Sequence, residues 1–182
     1  AERALTAADA RLGRVIAANG PLQAARYRRE PFTALTGAII GQQLSVRAAG
    51  TIAARVAACC APTPAALAAC DAALLRAAGL SAAKTRAVQG AAQAVAQGRL
   101  NLGELASGQL APGAVHAALC ALPGVGPWTA DMFLMFACPN LDVFAPGDLG
   151  LRRALMRLDE LTVLPAPHAG TARALIWRPY RT

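Results

Sequence analysis

Apolar residues along this chain recur at intervals of three and four, the spacing of one helix face, and no stretch alternates with the period of two that a half-buried strand requires. Leu5, Leu12, Val15 and Ile16 set the first such face and Asn19-Gly20-Pro21 stops it, which predicts an amphipathic helix over residues 4–18. A second predicted helix runs from Phe32 to Ile40. A third runs from Leu44 to Ala58 with Val46, Ile52 and Val56 on one face, and Gly41-Gln42-Gln43 forms a junction where side chains protrude. Pro62 and Pro64 mark a turn, short helices follow as far as Gly79, and a longer one covers 82–96. Residues 101–113 read as a loop with a brief helix. Helices over 114–121 and 128–138 are joined by a glycine-containing turn, and 139–147 form a crossover. A helix over 148–158 and a final one from near Gly170 complete an all-α chain without repeats.

A length of 182 residues allows one domain or two small lobes, and 55% hydrophobic content is ample for a core. Much of that content is alanine and aromatics make up 4%, which reads as closely packed helices with small contact residues. The formal net charge of +8 and a pI near 10.3 point to a polyanionic partner. Nearly all of the positive charge is arginine, since Lys84 is the sole lysine. Arginine's planar fork suits phosphate oxygens, although genome composition enriches it equally well, so charge adds modest support. The densest basic clusters are Arg26-Tyr-Arg-Arg29 and Arg152-Arg153.

Cys59, Cys60, Cys70, Cys120 and Cys138 form no Cys-x-x-Cys pair, and only His116 and His168 stand beside them as soft ligands, which argues against zinc. Their apolar helical settings predict buried free thiols in a reducing compartment. Apolar runs are interrupted before the roughly 18 residues a membrane span needs. The expectation is a cytoplasmic monomer with no membrane partner. The sequence begins at Ala1 without methionine and stops at Thr182, so one or both ends are expected to be trimmed.

The chemistry concentrates between residues 122 and 148. Leu122-Pro-Gly-Val-Gly126 places two glycines between helices, where backbone amides approach a phosphate closely. The helix that follows carries the chain toward Asp148, which succeeds Pro146-Gly147 and precedes Leu149-Gly-Leu-Arg-Arg, a favourable N-cap position. Capping alone explains an aspartate there. The two roles are compatible, because backbone amides that hold one carboxylate oxygen also orient the other.

These segments, Leu122-Pro-Gly-Val-Gly126, Pro127-Trp-Thr-Ala130 and Asp142-Val-Phe-Ala-Pro-Gly-Asp148, resemble the helix-hairpin-helix DNA glycosylases, and most closely the bacterial 3-methyladenine DNA glycosylase II branch. Ala38-Ile-Ile-Gly-Gln-Gln-Leu-Ser45, Gly79-Leu-Ser-Ala-Ala-Lys84 and Trp177-Arg-Pro-Tyr-Arg181 continue the resemblance in the same order over most of the chain. It implies a two-lobed all-α fold, with one lobe over 33–138 and a second from 1–32 plus 139–182, and an active-site cleft between them. The implied function is base excision repair: flipping an alkylated purine out of double-stranded DNA and hydrolysing its N-glycosidic bond to leave an abasic site.

Under this resemblance Asp148 is the catalytic carboxylate, stabilising oxocarbenium character in the deoxyribose and orienting or deprotonating water. A purine alkylated at N3 or N7 is already cationic and leaves without a strong general acid, so one carboxylate suffices. Asp131, Asp142 and Asp159 are weaker candidates, with Asp142 bracing the crossover. Relatives that also cut the strand carry a Schiff-base lysine where this chain has Trp128, which implies a monofunctional hydrolase. Trp128 is either core or a pocket wall that stacks on the cationic base. Among Met132, Phe133, Met135 and Phe136, most of which must face the core, Met132 is the one placed at the base pocket; Leu149 is placed there too. Gln43 or Leu44 fills the gap left by the flipped base, with Ser45 beside them. Gly124, Val125, Gly126 and Thr129 contact DNA at the hairpin. Carbonyls of Cys120, Leu122 and Val125 are implied to hold a monovalent Na+ or K+. No redox cofactor is required, and no cysteine follows Cys138, so the iron-sulfur cluster of some relatives is not expected. The rival reading is a non-catalytic module that recognises damaged DNA through the same hairpin, with Asp148 only a cap.

Overall fold

The computed structural model describes residues 2–20, 28–139 and 143–157, and these form helices and turns with no strand. The chain divides into two compact units, Arg29–Pro139 and the residues on either side of it. The first boundary has a local cause. Glu30 caps the helix that follows by accepting from the Phe32 and Thr33 amides, at 2.9 and 2.7 Å. Beside it the Arg29 amide donates to the Phe136 carbonyl at 2.8 Å, and the Arg29 guanidinium lies over the Phe136 ring.

The helical unit 29–139 contains α3 (Pro31–Gly41), α4 (Val46–Cys59), α5 (Pro64–Ala69), α6 (Ala72–Ala77), α7 (Ala82–Ala96), α8 (Leu102–Leu105), α9 (Pro112–Cys120) and α10 (Pro127–Ala137). The other unit contains α1 (Glu2–Ala8), α2 (Ala10–Asn19) and α11 (Leu149–Arg157). Helix α3 is apolar on nearly every side because it is central: it packs on α4, α7, α8 and α10, and Leu35 and Ile39 are fully buried. Leu75, Val88, Leu119 and Phe133 complete the core around it. Alanines at 87, 91, 92 and 94 on α7 and at 130 and 137 on α10 are buried as well, so backbones approach closely where a chain poor in aromatics needs contact area.

Side-chain caps set most helix starts. Ser45, Thr63, Asp71, Ser81 and Asn101 each accept a backbone N–H from the first turn that follows. The same chemistry corrects the expected single helix over 4–18. Asp9 is extended and accepts from the Arg11 amide at 2.7 Å, and the Arg11 guanidinium grips its carboxylate, which interrupts the helix between α1 and α2. The Arg11 hydrogen bonds hold the Asp9 carboxyl below its ordinary range.

Two further expectations are revised. Val46 does not share a buried face with Val56: it is exposed, because α4 begins at Val46 with Ser45 as its cap and its first turn faces solvent. The cysteines are not uniformly buried either. Cys138 is buried and donates to the Leu105 carbonyl, Cys60, Cys70 and Cys120 are half-buried, and Cys59 is exposed at the end of α4. Burial, aided by the neighbouring Cys70 thiol, pushes Cys60 up to about 11, and burial raises Cys120 too.

Tyr27, Asp142, Asp159, His168, the helix expected near Gly170 and the Trp177–Arg181 motif lie outside the described residues.

Candidate functional site

Helices α9 and α10 are the arms of a hairpin whose turn is Ala121–Gly126. The Val125 amide closes the turn on the Leu122 carbonyl at 3.1 Å, and Gly124 takes a φ of 81°. A Cβ on Gly124 would lie 2.7 Å from the Cβ of buried Ala87, so the turn is seated directly on α7. Helix α10 then starts without a side-chain cap: Gly126 occupies the N-cap and Pro127, which has no N–H, follows it. A helix start lined with backbone rather than a capping side chain is suited to a phosphate oxygen.

The structure assigns the expected hairpin residues unequally. Gly124 is exposed and Gly126 half-buried, whereas the Val125 side chain is buried and its amide is used inside the turn. Thr129 departs most from its expected role. It is 1% exposed, and its hydroxyl accepts from the Gln42 side-chain amide at 2.9 Å, so this side chain braces the protein rather than facing DNA. Across the hairpin, His116 Nε2 stands 3.7 Å from an Asp131 oxygen, which ties the weaker acid candidate Asp131 to the opposite arm.

Trp128 is half-buried, and its Cη2 lies 3.9 Å from where a Cβ on Gly41 would be, so the indole borders the Gly41–Ser45 turn. Met132, one turn further along α10, is buried at 4% exposure, next in sequence to fully buried Phe133. Leu149, the other expected wall, is 61% exposed.

In the 41–45 turn the Leu44 amide bonds to the Gly41 carbonyl, and Gln43 adopts a φ of 57°. Gln43 and Leu44 are both exposed, as a side chain that enters another molecule must be, while the Ser45 hydroxyl caps α4 through the Ala48 amide at 3.2 Å. The neighbouring Gln42, expected at a junction where side chains protrude, is half-buried. Its side-chain amide donates to the Gly124 carbonyl as well as to Thr129, each at 2.9 Å. Lys84, the sole lysine, also bonds to a distant segment. Its ammonium donates to the Ile40 and Gln42 carbonyls at 2.8 and 2.6 Å. Both residues stood within segments that carried the family resemblance, which was the one available signal.

In the other unit Asp148 is 5% exposed and caps α11: its Oδ1 accepts from the Leu151 amide at 2.7 Å, and its own amide donates to the Ala145 carbonyl. The capping expectation therefore holds. Arg152 and Arg153 are exposed in the following turn. Among the described residues no cluster of three or more His, Cys, Asp or Glu is arranged to hold a metal ion, and no helix is long and apolar enough to cross a membrane.

Residues 36–179 match the family model described as HhH-GPD superfamily base excision DNA repair protein. The DNA-3-methyladenine glycosylase 1 of Schizosaccharomyces pombe is 30% identical over 159 residues, which cover 85% of this chain and 69% of that protein. A 65-residue stretch is 46% identical to the "Probable bifunctional transcriptional activator/DNA repair enzyme AlkA" of Mycobacterium tuberculosis, covering 35% of this chain but only 12% of that relative's length. Among solved structures, the Schizosaccharomyces pombe 3-methyladenine DNA glycosylase in complex with abasic DNA superposes with a TM-score of 0.80 at 26% identity, covering 96% of this chain and 93% of the other.

Proposed function

Because the chain belongs to the HhH-GPD superfamily of base excision DNA repair proteins, we propose that it is a monofunctional DNA glycosylase that flips an alkylated purine from duplex DNA and hydrolyses its N-glycosidic bond with Asp148. The observation that carries this reading is the state of Asp148, a carboxylate nearly withdrawn from solvent and fixed by its helix-capping bond. A fixed carboxylate is preorganised to stabilise positive charge as it develops on the deoxyribose, and no reorganisation is needed at the moment of reaction. The alkylated base departs as a neutral leaving group, so the enzyme's task is to place the sugar and water, not to supply a strong acid.

Two features favour hydrolysis over strand cleavage. Tryptophan occupies position 128, where an amine nucleophile would be needed. The sole lysine is committed elsewhere, with its ammonium donating to two carbonyls. Supporting a DNA partner, the hairpin offers uncluttered backbone at Gly124 and Gly126, and the 41–45 turn exposes Gln43 and Leu44 as the side chains that replace the flipped base.

The proposal includes a monovalent cation held by the carbonyls of Cys120, Leu122 and Val125. The last turn of a helix leaves carbonyls without intrahelical partners, and the Leu122 oxygen keeps a second lone pair beyond the bond from Val125. Bound there, Na+ or K+ would add positive potential beside the phosphate-binding backbone. Replacing K+ by choline at constant ionic strength is expected to weaken duplex binding several-fold, and unchanged binding would remove the ion.

The decisive experiment incubates duplex DNA carrying 7-methylguanine or 3-methyladenine with wild type and with Asp148→Asn. Asparagine caps a helix about as well as aspartate, so the fold is retained. Base release is expected to fall by at least about 100-fold, and borohydride is expected to trap no covalent adduct with wild type. Equal release by both proteins would exclude Asp148 from the chemistry. Tight, salt-sensitive binding without release by either would make this a recognition module.

A further inference from the structure

Lys84 is placed against its own helix. It lies in the first turn of α7, where the helix dipole disfavours a cation, and burial of the ammonium pulls its pKa down. What it gains is outside α7: the Ile40 and Gln42 carbonyls, at 2.8 and 2.6 Å, at the C-terminal end of α3. There a cation complements both the helix dipole and carbonyls without intrahelical partners. One turn further along the same face of α7 is Ala87, on which Gly124 is seated. A single face of α7 therefore holds both the 41–45 turn and the hairpin. Gln42 closes the triangle, its carbonyl held by Lys84 and its side chain by Gly124 and Thr129. The next residue, Gln43, absorbs the left-handed φ.

We propose that Lys84 and Gln42 are positioning residues for base flipping: they form a polar strut that keeps the exposed Gln43-Leu44 pair in fixed register with the hairpin that anchors the DNA backbone. This rests on the glycosylase reading above. Without the strut the hairpin still binds phosphate, but insertion of the wedge side chain no longer follows from anchoring. The deficit then falls on extrusion of the base, not on bond cleavage.

The test compares Gln42→Ala and Lys84→Met with wild type on two duplexes. In one the alkylated base is paired; in the other it stands opposite an abasic site, so that little pairing energy opposes extrusion. Single-turnover base release from the paired substrate is expected to drop about 10-fold, the loss of a hydrogen bond worth up to about 1.4 kcal/mol. On the unpaired substrate the deficit is expected to shrink to within about 2-fold. Thermal melts identify a variant that is merely unfolded, and Gln42→Ala, which leaves the Lys84 contacts in place, serves if Lys84→Met does not fold. A double-mutant cycle of Gln42→Ala with Thr129→Val is expected to be non-additive. Equal deficits on both substrates, or none on the paired one, would overturn the strut. Wild type that releases no base from either duplex would instead overturn the glycosylase reading. In that case the fluorescence of 2-aminopurine beside the lesion still reports extrusion, and equal fluorescence gains with wild type and Gln42→Ala, or none with wild type, would overturn the strut as well.

Discussion

The hairpin turn and the 41–45 turn of the helical unit both enter left-handed backbone space, and they do so with different residues. In the hairpin the positive φ of 81° falls on Gly124; in the 41–45 turn a φ of 57° falls on Gln43. A residue with a Cβ meets a cost of about 1–2 kcal/mol in this region, which glycine avoids. The hairpin needs glycine twice over, because a Cβ there would also press within 2.7 Å of Ala87. At Gln43 the side chain is exposed, so packing gives no reason to keep it. The hairpin is built for close approach and stability. The other turn retains a side chain at the expense of stability, as expected where that side chain acts on something outside the fold.

The largest expected effect comes from forcing the hairpin to resemble the other turn. Gly124→Ala restricts the unfolded chain, a gain of roughly 0.4–1 kcal/mol. Against it stand about 1–2 kcal/mol of backbone strain and about 1–3 kcal/mol of overpacking on Ala87. The losses win, and a net destabilisation of about 2–3 kcal/mol is expected in urea titrations, together with weaker duplex binding as the turn is displaced. A Gly124→Ala protein as stable as wild type would mean that α7 yields to the turn, and the hairpin would not be the rigid half of the pair.

What was legible in the sequence follows the range of the interactions. The hairpin and the N-cap at Asp148 are written in residues at most a few positions apart, and so are the bounds of α7, which starts and ends where the pattern places it. The break at Asp9 is equally local, but Leu5 and Leu12 share one helical face across it and the pattern gives a single helix, whereas the Asp9 bonds to Arg11 interrupt it. Thr129, Gln42 and Lys84 were not legible in this way. Their partners lie between 42 and 87 residues away, and no helical periodicity encodes a hydrogen bond between segments so far apart. A helix as apolar as α10 likewise has no face that the pattern alone marks as open, and Met132, placed at a base pocket, is buried.

A smaller effect of opposite sign is expected at the second turn. Gln43→Gly removes strain of about 1–2 kcal/mol and adds freedom to the unfolded chain worth roughly 0.4–1 kcal/mol, which leaves a net stabilisation of about 0.5–1 kcal/mol. Leu44→Ala, at an exposed position, is expected to change stability by less than about 0.5 kcal/mol. The two variants therefore separate stability from function, since neither can lose base release by unfolding. If Gln43 is the inserted side chain, Gln43→Gly will be more stable than wild type yet slower to release a paired alkylated base, with Leu44→Ala close to normal. A Gln43→Gly protein that gains stability and keeps its full rate, beside a slow Leu44→Ala, would transfer the wedge to Leu44. The strain at Gln43 would then serve to aim its neighbour, and the contrast between the turns would lie in backbone direction rather than in the strained side chain itself.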